Sequence, residues 1–341
     1  MSEVTLNIPA LAAAPGAWPH RPPVPDSLLL ATLAAHIAGS ARPEELTLTR
    51  SPLDEGPSSR VEAICLLRGG IALARAVVKT CPLHTDLGKL VAIAPFSLPV
   101  PRILAVLPDH NTVVMEEARG ERLDRLMQPG SGAAPGSLRE RALDAAARAG
   151  IALVAFHRIA PAAVGRLTLA RLVEGLRPAP AALPGELGRS AQQVADRLLA
   201  VPDPIEHRAA LCHRDLHPRQ IFDDGSRATF VDLDSIGLAH PALDLANFAV
   251  GLEVRHPELA PPLLAAFRAG YAAASGEIPE DPSCNPTAGG NSAQAEAVYR
   301  AFTFLRLAAK TCRTQPLGWP ERASALLRQA GAALAAAEDR R

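Results

Sequence analysis

Between Leu211 and Ala246 the chain reads LCHRDLHPRQIFDDGSRATFVDLDSIGLAHPALDLA, its densest run of ionisable side chains set between apolar segments. His213, Asp215 and His217 fall in a loop after one short apolar run, and Asp232 and Asp234 stand at the end of the next. The spacing predicts two strands, around Ala210-Leu211-Cys212 and Ala228–Leu233, with a tight turn at Asp223-Asp224-Gly225-Ser226. Such a turn brings strand ends together, so Asp215, Gln220 and Asp232 are expected to converge on one small volume. Carboxylate and amide oxygens are hard ligands and suit Mg²⁺. The same histidines and aspartates admit a second reading, a metallohydrolase built on zinc or two metals, although HxDxH followed by DxD matches no usual zinc spacing.

The rest of the composition excludes several function classes. With 341 residues the chain suits two packed lobes or one large α/β unit. Lys+Arg and Asp+Glu both total 35, which leaves no basic excess for a nucleic-acid backbone. The five cysteines are odd in number and form no CxxC pair, so neither a disulfide framework nor a thiolate zinc site is expected, and a reduced cytoplasm fits. Glu3 stands where a secretory signal wants positive charge, and no apolar run reaches 18 residues, so no membrane partner is expected. Lys79, Lys89 and Lys310 are the sole lysines, which marks each as a place where an ammonium is held for its own chemistry.

Positioning these groups falls to two differently textured halves. Residues 1–25 form a Pro-rich arm and Ser27–Ala38 a helix. Three β-type runs follow at Leu46–Leu48, Val61–Leu67 and Ala72–Val78, with Gly69-Gly70 as a hairpin turn. A short helix is expected over Asp86–Pro95, then strands at Ile103–Leu107 and Thr112–Met115 around the turn Pro108–Asn111. Beyond Glu116-Glu117 helical periodicity dominates, at Leu138–Ile159, Gly185–Ala200, Pro241–Leu252, Leu259–Ala274, Ala293–Lys310 and Glu321–Ala337. Residues 275–292 read as a breaker-rich loop. The expectation is an α+β protein, with a small antiparallel sheet over residues 1–118 and a helical part over residues 119–341.

His213-Arg214-Asp215-Leu216-His217-Pro218-Arg219-Gln220 resembles the catalytic loop of the protein-kinase-like fold, H-R-D-L-x-x-x-N, and Val231-Asp232-Leu233-Asp234 stands where those enzymes carry their metal-binding aspartate. The continuation Gly237–Ala246 is similar to the aminoglycoside phosphotransferase/choline kinase family of small-molecule kinases, and no APE-like element follows. Val77-Val78-Lys79 resembles the strand lysine that holds ATP phosphates, and Val113–Glu117 with Gly120–Leu123 resembles the adenine hinge. The resemblance implies a two-lobed kinase-like fold whose N-terminal lobe binds nucleotide, with ATP and Mg²⁺ as cofactors and a hydroxylated small molecule as partner. It implies that Asp215 orients the acceptor hydroxyl and takes its proton, and that Gln220 and Asp232 hold the metal. Asp234 is either a further metal contact or a turn-capping residue. Lys79 would contact the α/β-phosphates, with Asp86 as its acidic partner. Ser58 and Ser59 would offer backbone N–H groups to phosphate, Glu116 and Ala118 the adenine contacts, and His217 a phosphate or substrate contact.

The chain departs from that pattern at Gln220, where the family carries asparagine, at Asp86, where it carries glutamate, and in Glu55–Arg60, which has one glycine and no GxGxxG. These departures keep open a catalytically degenerate nucleotide-binding protein. Glutamates and arginines intermingle beyond residue 250, so acceptor class and oligomeric state stay open.

Overall fold

The computed structural model describes residues 24–36, 42–55, 59–82, 85–128, 135–176, 185–202, 209–276 and 291–339. The chain divides into two compact units, Met1–Ala118 and Arg119–Arg341. Most of the Pro-rich arm, Ser58 of the phosphate-loop expectation, and most of the breaker-rich stretch after residue 276 lie outside the described residues.

In the first unit, five strands form an antiparallel sheet: β1 (Leu46–Glu55), β2 (Arg60–Arg68), β3 (Ile71–Thr80), β4 (Ile103–Leu107) and β5 (Thr112–Glu116), in the spatial order β1-β2-β3-β5-β4. Gly69 and Gly70, at φ 57° and 82°, close the β2–β3 hairpin. Positive φ at both turn residues matches the strand twist, which is why Gly-Gly works there. Helix α1 (Asp26–His36) buries Leu29 and Leu33 with Leu46, Ile64, Leu66, Ala76, Val78, Leu104 and Val114. Strand alternation then puts Lys79 on the opposite sheet face from Ala76 and Val78, level with Val61 and Val113. Asp86 caps helix α2 (Leu87–Ile93), accepting from the Gly88 backbone N–H at 3.0 Å.

The second unit opens with β6 (Glu121–Arg122) and the one-turn helix α3 (Leu123–Leu126), followed by α4 (Pro135–His157), α5 (Leu169–Glu174) and α6 (Gly185–Leu199). Four three-residue strands come next, β7 (Ala210–Cys212), β8 (Ile221–Asp223), β9 (Ala228–Phe230) and β10 (Gly237–Ala239). The helices α7 (Ala242–Arg255), α8 (Ala260–Ser275), α9 (Asn291–Thr314) and α10 (Trp319–Glu338) complete it. A large apolar cluster built mainly from α6, α7, α9 and α10 carries Val194, Leu198, Leu243, Val250, Tyr299, Phe302, Leu305 and Leu334.

Helices α4 and α8 cross at backbone contact. A Cβ on Gly270 would sit 2.0 Å from Ala147 O, and one on Gly150 would sit 2.1 Å from Phe267 O. Gly270→Ala is therefore expected to push the helices apart and cost at least about 1–3 kcal/mol. Urea unfolding checks this, since an unchanged midpoint would mean that the crossing yields freely.

One strand expectation is corrected. The tight turn joins β8 to β9, whereas β7 pairs antiparallel with β10, Cys212 opposite Gly237. The turn lies where it was expected and has Asx geometry: Asp224 accepts from Ser226 N, Ser226 Oγ and Arg227 N at 2.7–2.9 Å. These bonds hold the Asp224 carboxyl down at about 2.

Candidate active site

The loop after β7 is held from beneath by α7. Asp244, fully buried, accepts the His213 backbone N–H on Oδ2 at 2.8 Å and the Arg214 N–H on Oδ1 at 2.7 Å. His157 Nε2, at the end of α4, reaches the same Oδ2 at 3.3 Å, while its Nδ1 lies 2.7 Å from the Tyr271 hydroxyl. Burial alone would push the Asp244 carboxyl up. The bond from His157, the nearby imidazoles and the loop N–H groups outweigh it, so the carboxyl is held below its ordinary range. The buried cluster His157, Cys212 and Asp244 is thus a structural brace.

A second set of bonds brings the loop against the segment after β9. His213 Nε2 donates to Val231 O at 2.8 Å, and Val231 N donates to Gln220 O at 3.0 Å. Arg214 and Asp232, at φ 69° and 67°, are non-glycine residues in the left-handed region at the two ends of this assembly. That conformation costs on the order of 1–3 kcal/mol per residue and persists only where the surroundings over-determine it. The Arg214 carbonyl accepts from Asn247 Nδ2 at 2.8 Å and Arg306 Nη1 at 3.1 Å, which ties the left-handed turn to α7 and α9.

Gln220 and Asp232 meet directly, with Gln220 Nε2 donating to Asp232 Oδ2 at 2.9 Å. Gln220 is 4% exposed, and its Oε1 is buried with no partner. An orphaned amide oxygen beside a carboxylate is a costly arrangement for the protein alone, and it is the donor chemistry that Mg²⁺ prefers. The residues present therefore fit a hard divalent cation. Asp234 lies in the single 3₁₀ turn Leu233–Ser235 immediately after Asp232.

Asp215 keeps a side-chain exposure of 37% and is ion-paired through Oδ1 to Arg306 Nη2 at 3.0 Å. This pairing was not legible in the sequence, where Arg306 was merely one of several arginines on a distant helix. His217 is close enough to feel both Asp215 and Asp232. Burial drives its imidazole down to about 4, Asp215 opposes this, and Arg255 and His213 reinforce it, so His217 is neutral near pH 7.

The nucleotide-side expectations fall in the first unit. Lys79, next to last in β3, is 8% exposed. Asp86 serves as the N-cap of α2, its carboxylate accepting the Gly88 backbone N–H. Ser59 is half-buried immediately before β2, and Glu116, at the end of β5, pairs with Arg102 at 2.8 Å. Ala118 is half-buried just beyond.

A five-stranded antiparallel unit followed by a helical unit with this loop pair defines the protein-kinase-like fold. The chain belongs to the phosphotransferase enzyme family, whose model matches residues 74–286, more than half of its length. It resembles choline kinase from Cryptosporidium parvum Iowa II at 12% identity and a TM-score of 0.64, over 92% of this chain and 96% of that one. Choline kinase LicA from Streptococcus pneumoniae matches at 13% identity and 0.56, over 91% and 99%. A thermostable mutant of aminoglycoside phosphotransferase APH(4)-Ia, in ternary complex with ADP and hygromycin B, matches at 16% and 0.54, over 84% and 93%. No curated protein matches the chain. Among the described residues no helix is long and apolar enough to cross a membrane.

Proposed function

We propose that the protein is an ATP- and Mg²⁺-dependent kinase that moves the γ-phosphoryl group of ATP to a hydroxyl of a small molecule. The observation that carries this reading is the orphaned Gln220 Oε1 beside Asp232, in a loop that also presents Asp215. Gln220 and Asp232 would hold the metal, with Asp234 adjacent, and the ion would supply charge neutralisation on the transferring phosphate. Asp215 orients the acceptor hydroxyl and accepts its proton, and Arg306 fixes the carboxylate that does so. Lys79 would contact the nucleotide phosphates, Glu116 and Ala118 the base, and Ser58 and Ser59 the phosphates through backbone N–H groups. His217, being neutral, contributes a hydrogen bond to phosphate or substrate, not a charge.

The departure from asparagine at position 220 supports rather than opposes turnover, because glutamine keeps the amide oxygen and that oxygen is left unpartnered. A reducing, cytoplasmic setting belongs to the same reading, the five cysteines being odd in number and without a CxxC pair. The metal role makes a definite prediction. Asp232→Asn should lower the affinity for Mg·ADP at least about tenfold, each 1.4 kcal/mol being a factor of ten. Fluorescence or calorimetric titration checks it, and undiminished, magnesium-dependent binding would remove Asp232 from the site. The functional reading itself is tested by incubating the protein with ATP, Mg²⁺ and hydroxylated metabolites, reading ADP release and a phosphorylated product. Stoichiometric product is expected, and ADP release without any phosphorylated acceptor across a broad panel would contradict it.

A further inference from the structure

The charges around Asp215 do not describe a pocket for a cation. Asp215 is already engaged by Arg306 at 3.0 Å. Two acids on neighbouring elements are also ion-paired, Asp124 with Arg122 at 2.8 Å and Glu253 with Arg300. Arg255, on the last turn of α7, is different. Its Nη1 lies 3.6 Å from the point where a Cβ on Gly251 would stand, and His217 Cβ lies 3.3 Å from that same point. The side chain therefore folds back along its helix toward the catalytic loop, and the glycine at position 251 leaves room for the His217 side chain beside it. Arg255 forms no ion pair or hydrogen bond among the described residues. Its guanidinium loses hydration although the residue as a whole is exposed, and it feels the carboxylates Asp215 and Asp124 as well as the cations Arg219 and Arg306. The surroundings of Asp215 thus present a guanidinium that forms no ion pair of its own among the described residues.

A guanidinium is a planar fork suited to bidentate capture of carboxylate or phosphate. A cationic acceptor, by contrast, requires uncompensated carboxylates near the base. Building on the kinase reading above, we infer that the acceptor is a hydroxylated anion, a hydroxy or sugar acid or a sugar phosphate, whose anionic group is held by Arg255 while its hydroxyl faces Asp215. The chemistry balances as a simple transfer: the acceptor oxygen bonds the γ-phosphorus, the bond to the β-phosphate oxygen breaks, ADP leaves, and the hydroxyl proton passes to Asp215.

The test uses matched sets that differ only in charge: D-gluconate, D-glucose and D-glucosamine, and D-glycerate, glycerol and ethanolamine. Each is titrated into the full-length protein saturated with Mg·ADP, and each is assayed for ADP release with ATP. The acid of a set is expected to bind at least tenfold tighter than its amine, and Arg255→Gln should erase that preference while Arg255→Lys keeps part of it. Equal or tighter binding of the amine or neutral member overturns the inference. So does the absence of acid binding to the Mg·ADP-loaded protein, or an Arg255→Gln variant whose acid preference is intact. If Arg255 instead served the nucleotide, Arg255→Gln would weaken ATP relative to ADP and leave acid binding unmoved, which also overturns it. Failure of Mg·ADP itself to bind would remove the kinase reading, whereas normal Mg·ADP uptake without a preference for acids removes the acceptor class alone.

Discussion

Replacing Asp215 with asparagine is expected to slow phosphoryl transfer by about 10²–10⁴-fold, the range that a positioned general base contributes, while Mg·ATP still binds. Asparagine keeps the shape of the side chain and an oxygen for Arg306, so the loop has no reason to move. What it loses is the ability to accept the acceptor's proton and to hold the hydroxyl in line with the phosphorus. Because the transition state of phosphoryl transfer is loose, the proton leaves late, and orientation accounts for much of the effect. Nucleotide affinity should persist, since the metal-side oxygens belong to Gln220 and Asp232. The check is ADP release and product formation at saturating ATP beside a direct nucleotide titration. Wild-type turnover in the variant would take Asp215 out of the chemistry, and lost nucleotide binding would place it on the metal side.

The second large effect concerns stability. Asp244→Ala removes a fully buried carboxylate whose two oxygens serve the His213 and Arg214 backbone N–H groups and His157 Nε2. Two N–H donors and an imidazole would be left unsatisfied in a dry interior, a loss on the order of 3–5 kcal/mol. The left-handed Arg214 would lose its brace at the same time, so activity should fall even where the protein stays folded. Chemical denaturation measures the first effect, and a midpoint within error of wild type would show the brace to be dispensable. The carboxyl is held below its unfolded value, about 3.9. Its contribution is therefore complete above that value and drains away as pH falls through the lower folded one. The stability gap between wild type and variant should accordingly be flat near neutrality and narrow only under strong acidification.

The centre of the site was legible because its residues are close in sequence and chemically unlike their apolar flanks. Asp215, Gln220 and Asp232 sit in one short stretch, and a β-turn rich in Asp and Gly announces itself. The pairing within that stretch was not legible. Strands of three residues carry too little alternation to specify a partner, and Gly237-Leu238-Ala239 leads straight into helical sequence, so its bond to β7 was missed. The one-turn helix Leu123–Leu126 and the two-residue strand before it are too short for any periodicity to show. Arg306 and Arg255 were hidden for another reason, since only tertiary packing decides which of many arginines meets the base. The capping job of Asp86 follows from the start of α2 at Leu87, whose first turn needs an acceptor.

The account turns on whether this chain takes up a nucleotide with a hard cation. Titrating the intact protein with ADP in the presence of Mg²⁺, and again after chelation with EDTA, measures that directly. Saturable uptake of one nucleotide per chain that is largely lost with the metal is the predicted result. No uptake with magnesium present, or equal uptake without it, would contradict the reading of Gln220 and Asp232 on which the rest is built.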